Sequence, residues 1–413
     1  MTTETNISDL ERLVRLDDPA FYLGDPWPVY ARLRREAPVF WYRPRGCWVV
    51  TRHIDVRRVT TNPAVFSSAH GTLLKDLHPD GTYGSSDEMF GDAGVRISHV
   101  DPPRHRELRR VMAPGFTPDT VSRLRPSVQQ HCDRLLSQIE PGRPVEFVEQ
   151  IAAVLPMLTV CDMLGIPDAE HARIRFWSDQ LERLLTVPLT DEERAQTAAN
   201  FNGMNPFLHE VFERKRAEPG DDLITSLLAA ELDNEKLSPA NVLMMTQTLI
   251  GAGNDTTRAL LSGMVLALAG HPEQFDLVRR DPSLVPNVVE EALRWTSPAR
   301  GFIRTALEDT EINGQPIAAG ERVYIAYDSA NRDEEVFPDP GTFDVTRPLN
   351  TPHVGFGFGT HVCIGASLVR MEVRTFLERL VPRFSGIELA GEPERVQLTI
   401  RNSWTRLPLV FRG

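Results

Sequence analysis

The sequence predicts a mainly α protein with small β-sheets. Nearly every stretch from Thr120 to about His271 carries helical period. Within it, a run over about 239–269 is apolar on nearly all sides, which predicts a central helix roughly 45 Å long that must cross the core. Strand-like pieces are short and never alternate with helices as βαβ units, so one mainly α unit fits best.

Taken in order, residues 1–25 read as an N-terminal arm. Pro28 then sits in the first turn of a short helix, Val29 to Glu36, and a hairpin follows between Val39 and Thr51 around Arg43-Pro44-Arg45-Gly46. Residues 66–98, rich in Gly, Ser, Asp and His, read as a long loop of the kind that is functional or mobile. Helices are expected at Val121–Ile139, Phe147–Leu164, His171–Leu184, Asp191–Arg216 and Leu223–Leu232. The long helix has Ser238 as its N-cap with Pro239 next, and Gly270 with Pro272 stops it. A shorter helix after Pro286 carries Glu290, Glu291 and Arg294. Strand-like pieces follow at Phe302–Thr305, Thr310–Ile312 and Arg322–Ile325, then a Pro-rich irregular run over 326–355 and an alternating stretch at Val396–Phe411.

Composition narrows the function. A chain of 413 residues with 41% hydrophobic and 25% charged residues describes a soluble globular protein with a sizeable core. Net charge −12 disfavours nucleic acid, whose phosphates demand a basic surface. The opening MTTETNISDLERL lacks a basic and an apolar region, so no secretory signal is expected. Gln247, Asn254, Asp255 and Arg258 make the long helix too polar for a membrane span. Cys47, Cys132, Cys161 and Cys363 are scattered without paired spacing, which suits a reduced, cytoplasmic protein.

The chemistry centres on Phe356-Gly357-Phe358-Gly359-Thr360-His361-Val362-Cys363-Ile364-Gly365, directly before a helical run from Ala366 to Leu380. Its glycines let the backbone turn sharply and approach something closely. Loop amides and the positive end of a helix dipole would lower the Cys363 thiol pKa and favour a thiolate. Such a thiolate can bind a metal or attack a carbon.

Three further features accompany that loop. Ala252-Gly253-Asn254-Asp255-Thr256-Thr257 lies mid-way along the long helix. Glu291 and Arg294 form a pair at i, i+3. His105, Arg109, Arg304 and His353 are basic residues dispersed in sequence, each near a Pro, Gly or strand signal. Together these resemble the cytochrome P-450 family, the haem-thiolate monooxygenases, in its soluble bacterial form. The match to FGxGxHxCxG is complete in Phe356, Gly357, Gly359, His361, Cys363 and Gly365. Asp255-Thr256 resembles the acid-alcohol pair, and Glu291 with Arg294 the ExxR element. Also similar are Asp101-Pro102-Pro103 and the run from Ala330-Asn331-Arg332-Asp333 to Arg347. The resemblance covers about residues 20–412.

The resemblance implies a single domain over 1–413, with haem b between the long helix and the Cys363 loop. Cys363 is then the metal ligand, and Phe356, Gly357, His361, Gly365 and Ala252 surround the cofactor. His105, Arg109, Arg304 and His353 suit the propionates, anions that need charge-assisted donors. Thr256 is the hydrogen-bond donor to the oxygen under activation, and Asp255 supplies protons through water. In a buried helix Thr256 can bond back to the Ala252 carbonyl, and Gly253 would loosen the same turn into an opened groove. Glu291 and Arg294 are structural and hold the segment near Arg347. The substrate pocket draws on residues 70–100 and 175–205, on Leu249, Ala252, Ala299, Arg300 and Phe302, and on Asn402 to Trp404. Its largely apolar character suits a hydrophobic small molecule. Arg300 is the oddity, a cation that either anchors a substrate carboxylate or polar tail or, as is more usual for an Arg, points to solvent or to a propionate.

No flavin or iron–sulfur motif occurs, so electrons from NAD(P)H are expected through a separate reductase and ferredoxin. Arg104, Arg106, Arg110, Arg370 and Arg374 could steer an acidic ferredoxin. The expected enzyme is monomeric and puts one atom of O2 into a C–H or C=C bond, in secondary metabolism or in lipid or terpenoid catabolism. Alternatives within the fold are a hydroxylase of carrier-tethered substrates and a peroxide-using or rearranging enzyme. A haem sensor and a cysteine hydrolase lie further off. The sensor and the peroxide route leave Asp255-Thr256 without a task. Cys363 and His361 are too close in sequence to converge as a nucleophile and its base.

Overall fold

The computed structural model describes residues 9–78, 82, 94–186, 189–232 and 235–413. The helix Pro239–Gly270 organises the molecule. The Ser238 hydroxyl caps it, accepting from the Asn241 amide at 3.2 Å, and Pro239 costs nothing at a position whose N–H would have no partner. At 32 residues it spans about 48 Å.

It threads two apolar clusters. Val242 to Ile250 pack with Leu155–Leu164, His171–Thr186 and Met204–Ala217. Leu260 to Leu268 pack with Pro118–Leu136, Val285–Thr296 and Ala366–Leu380. The segment between, 251–258, belongs to neither cluster and holds the polar residues that the sequence singled out.

A five-stranded sheet flanks the helices in the order Val39–Tyr42, Cys47–Val50, Arg322–Ala326, Gly301–Ala306 and Phe66–Ser67. The hairpin turns through Arg43–Arg45 onto Gly46, whose φ of 54° is left-handed and so favours glycine. Arg322–Ala326 pairs parallel to Cys47–Val50 and antiparallel to Gly301–Ala306, tying the N-terminal fifth of the chain to its last third. A smaller sheet joins Gly386–Leu389, Pro408–Arg412 and Pro144–Glu146.

Several elements differ from expectation. Residues 9–25 are no loose arm, because Leu10, Val14, Leu16 and Tyr22 are buried against the sheet. The helix expected over 147–164 is a π-helical turn, Val148–Ala152, followed by Leu155–Leu164. Pro156 lacks the N–H that a continuous helix would need. The helix expected over 191–216 is interrupted at Gly203, with Pro206 in the first turn of its second part. Much of the loop expected at 66–98 lies outside the described residues; its described ends hold the strand Phe66–Ser67 and short turns at Leu74–Asp76 and Ile97–His99.

Candidate active site

Cys363 closes a tight loop. Its amide donates to the Phe356 carbonyl at 2.9 Å, and Gly357 and Gly359 both carry φ of 71°. At Gly359 an added Cβ would stand 2.2 Å from the Thr60 carbonyl oxygen, so no other residue fits that approach. Phe356 packs under the Arg370 guanidinium, 4.6 Å from its ring centre. Cys47, Cys132 and Cys161 are buried, whereas Cys363 is accessible although protein rings it deep in the fold.

The expected lowering of the thiol pKa does not hold for the protein alone. Burial pushes the Cys363 thiol up, against the Gly365 amide and the guanidinium groups of Arg109 and Arg370, which pull it down. A bound metal cation deprotonates a coordinating thiol outright, so the thiolate is a product of ligation.

A cationic cluster stands beside the loop. Arg109 donates to the Val362 carbonyl at 2.7 Å, and the His105 and His361 rings lie 4.2 Å apart. His105 is buried with Nδ1 lacking a protein partner, and His361 Nε2 meets the Ser68 hydroxyl at 3.1 Å. Burial first, then Arg304, His105 and Arg109, push His361 down to about 3. Asp101, the carboxylate acting on His105 and Arg304, is itself held by the Ser67 hydroxyl and the Ser68 amide. This donor set fits buried anionic groups, as haem propionates are. Haem therefore fits these residues: a soft sulfur ligand on a loop, and cations for its carboxylates.

His353 is placed differently from the other predicted propionate ligands. Its Nδ1 accepts from the Gly355 amide at 3.1 Å, and its Nε2 meets Glu290 at 2.9 Å, so both ring nitrogens are committed to protein. Glu290 also holds Arg370 through two bonds of 2.7 and 2.8 Å. Arg370 first, then His353, draw its carboxyl down to about 2 against the effect of burial, which is the largest single influence and acts upward.

On the long helix, Ala252 is exposed and Gly253 and Thr256 are half-buried, although Gly251, Asn254, Asp255 and Thr257 around them are buried. The Thr256 hydroxyl donates to the Ala252 carbonyl at 2.8 Å. The helix stays regular through this turn, unlike the opened groove expected from sequence. Its glycines serve close packing instead. A Cβ on Gly251 would meet Leu181 at 2.4 Å, and one on Gly253 would meet Val160 at 2.7 Å. Asp255 is buried, ion-paired to Arg401, and its Oδ1 has no protein partner.

Of the expected pocket residues, Ala252, Ala299 and Phe302 are partly accessible, while Leu249, Arg300 and Trp404 are buried. Trp404 packs in the core beneath Gly263. Arg300 stacks on Tyr22 at 4.1 Å, approaches Asp328 at 3.6 Å and donates to the Arg401 carbonyl at 3.2 Å. Those contacts turn it into the interior, away from the substrate role that its strand position suggested. The parts of the expected pocket at 79–81, 83–93 and 187–188 lie outside the described residues.

Glu291 and Arg294 form a buried bidentate pair at 2.7 and 2.6 Å. Arg294 also donates to the carbonyls of Asn331, Pro340 and Thr342, and Glu291 accepts from the Asp344 amide and Arg347. Sequence reasoning missed Arg401, Glu290, Ser68 and the Glu182–Arg258 pair. Each meets its partner across 63 to 293 residues, where no local pattern could show it.

A family model described as cytochrome P450 matches residues 175–400. The chain is 35% identical over 404 residues to linalool 8-monooxygenase of Pseudomonas putida, covering 96% of this chain and 98% of that one. It is 37% identical over 413 residues to nocardicin C N-oxygenase of Nocardia uniformis subsp. tsuyamanensis, covering 97% and 100%. The structure of cytochrome P450 CYP109Q5 from Chondromyces apiculatus matches with a TM-score of 0.85 at 34% identity, over 97% of this chain and 98% of that one. Cysteine loop, cationic cluster and end-to-end similarity agree, and the chain belongs to the cytochrome P450 family as a cytochrome P450 monooxygenase.

Proposed function

We propose that this monooxygenase oxidises a free hydrophobic small molecule with haem b, one domain over 1–413 acting as a monomer on electrons from a separate ferredoxin. The observation that carries this reading is the accessible Cys363 on its glycine loop beside the basic cluster of His105, Arg109 and His361, together with the accessible Ala252 on the long helix and the Thr256 hydroxyl one turn from it. Haem bound through a thiolate supplies oxygen activation, because sulfur donates electron density that favours O–O cleavage.

The protein's own tasks are separate ones. His105, Arg109, Arg304 and His361 bind the propionates. Thr256 orients water and passes a proton, and Asp255 resupplies it. The partly accessible Ala252, Ala299 and Phe302 favour apolar substrate surface. The relatives named for linalool and nocardicin C support oxidation of small organic molecules without fixing which one. Unpaired buried thiols at Cys47, Cys132 and Cys161 support a reducing, cytoplasmic setting, and no helix among the described residues is long and apolar enough to cross a membrane.

Thr256→Ala tests the alcohol. The variant keeps the carbon monoxide spectrum and substrate binding but diverts oxygen to hydrogen peroxide, with product per NADH falling about tenfold or more. Unchanged coupling in that variant excludes a proton role for the hydroxyl.

Of the five arginines, Arg106 and Arg110 suit a docking surface best, being exposed one turn apart on the helix carrying His105 and Arg109. Arg104 pairs with Glu107, Arg370 with Glu290 and Arg374 with Glu378. Replacing both Arg106 and Arg110 with Glu lowers ferredoxin-supported reduction about tenfold at low salt and leaves the carbon monoxide spectrum intact. A rate insensitive to both substitutions and to salt places the docking face elsewhere.

A further inference from the structure

Arg370, on the helix Ala366–Leu380 that follows the Cys363 loop, is turned back over that loop. Its guanidinium stacks on Phe356, 4.6 Å from the ring centre, and the His353 imidazole lies 6.3 Å from the same ring. Phe356 is also the residue whose carbonyl accepts from the Cys363 amide. Both of its polar neighbours are fastened to one carboxylate. Glu290 takes two bonds from Arg370, at 2.7 and 2.8 Å, and meets His353 Nε2 at 2.9 Å. Arg374, one turn further along, bonds Glu378 on its own helix instead.

The clamp therefore fixes a full positive charge beside the cysteine loop. Burial raises the Cys363 thiol pKa, and the Gly365 amide, Arg109 and Arg370 pull it down. In return Glu290 first, and Cys363 as well, hold the Arg370 guanidinium charged. The two cations acting on the sulfur differ in what offsets them. Arg109 belongs to the cluster assigned to the propionates, whose negative charge meets it when haem is bound. Arg370 stands outside that cluster, and its counter-charge is Glu290.

We propose that Arg370, clamped by Glu290, is a positioning residue that sets how strongly the Cys363 sulfur donates to the metal. A cation near the sulfur draws electron density towards itself, weakens that donation and favours the reduced metal, which carries one more electron. Glu290 offsets part of the charge and fixes where the rest of it stands. The Phe356 ring holds the guanidinium at a set distance through the attraction of a cation to its face. No bond forms or breaks in this role and no proton moves. The Arg370 side chain is 43% exposed, so water screens the effect and keeps it modest. The inference rests on the reading of Cys363 as the metal ligand.

Arg370→Gln, Arg370→Lys and Glu290→Gln in the haem-loaded full chain test it. Two properties are read besides turnover: the reduction potential, and the C–O stretching frequency of the reduced carbon monoxide complex, which falls as sulfur donates more. Arg370→Gln shifts the one-electron equilibrium about fivefold towards the oxidised form, or about 40 mV at 59 mV per tenfold, and lowers the C–O frequency. Glu290→Gln keeps an acceptor for Arg370 but loses the negative charge, so both properties move the opposite way. Arg370→Lys keeps the charge and stays closer to wild type than Arg370→Gln.

A merely structural clamp loosens the loop in either variant and moves both properties in one direction, whichever partner is changed. That result overturns the proposal. So do unchanged values in Arg370→Gln and Glu290→Gln when the thiolate band is intact. Absence of that band in wild type removes the reading of Cys363 instead, and is told apart from a failed clamp by that spectrum alone. Should Arg370→Gln lose its haem, Glu290→Gln decides: a raised potential supports the role, and an unchanged or lowered one refutes it.

Discussion

Cys363→Ser abolishes the long-wavelength thiolate band of the reduced carbon monoxide complex and lowers turnover at least about a hundredfold, since changes merely outside a ligand shell already cost 10–100-fold. Serine keeps the loop geometry, because Cys363 meets its surroundings through its backbone amide to Phe356 and through the Gly365 amide. It removes the soft, polarisable donor that a thiolate provides and an alcohol does not. Haem retention, read from the haem-to-protein absorbance ratio, falls as well. It does not vanish, because His105, Arg109, Arg304 and His361 still offer donors to its carboxylates. A normal thiolate band in the serine variant identifies another ligand and removes the assignment of this site.

The second large effect is on stability. Glu291→Gln leaves Arg294, 1% exposed, opposite a neutral amide, and weakens the bond from Arg347. Removing one partner of a buried ion pair costs about 3–5 kcal/mol, because the remaining charge is desolvated without compensation. The loss spreads beyond the pair. Arg294 ties down three carbonyls between Asn331 and Thr342, and the Asn331 side chain accepts from the Val354 amide two residues before the Cys loop begins. Chemical denaturation should show the loss as a lower midpoint, together with faster haem release. Arg294→Lys should do nearly as much harm, since one ammonium cannot reach the carboxylate and three carbonyls that the planar guanidinium reaches. Unchanged midpoints in both variants mean that the pair contributes nothing net.

These effects connect through the order of the chain. The ExxR helix anchors the irregular segment, that segment delivers Val354 and Gly355, and the glycines after them set the cysteine. Glu290, one residue before Glu291, reaches the same region by holding His353 and Arg370. Of these adjacent acids, Glu291 holds the segment before the loop and Glu290 bridges from His353 before it to Arg370 after it.

Much of this was legible in the residues. Ser238-Pro239 at one end and Gly270 with Pro272 at the other marked the long helix because its limits are local chemistry: a hydroxyl for a free amide, and a proline that cannot continue. The FGxGxHxCxG run was legible because close backbone approach at Gly359 admits no side chain. The breaks at Pro156 and Gly203 carried local signals too, but apolar periodicity ran straight across them. His353 shows the reverse case. Its basic character beside Pro352 and Gly355 suggested a propionate ligand, yet sequence cannot say which carboxylate an imidazole will meet, and here it meets Glu290.

The sequence by itself determined the mainly α architecture and placed the glycine-flanked Cys363 and the Asp255-Thr256 pair, because each depends on contacts within a few residues along the chain. Only the tertiary structure decided which charges meet. Arg401 finds Asp255 across 146 residues, Glu182 finds Arg258 across 76, and Arg300 turns inward to Tyr22 and Asp328. The physical reason is that a buried charge takes whichever partner the packing of distant elements brings within reach, and that packing is a property of the whole core.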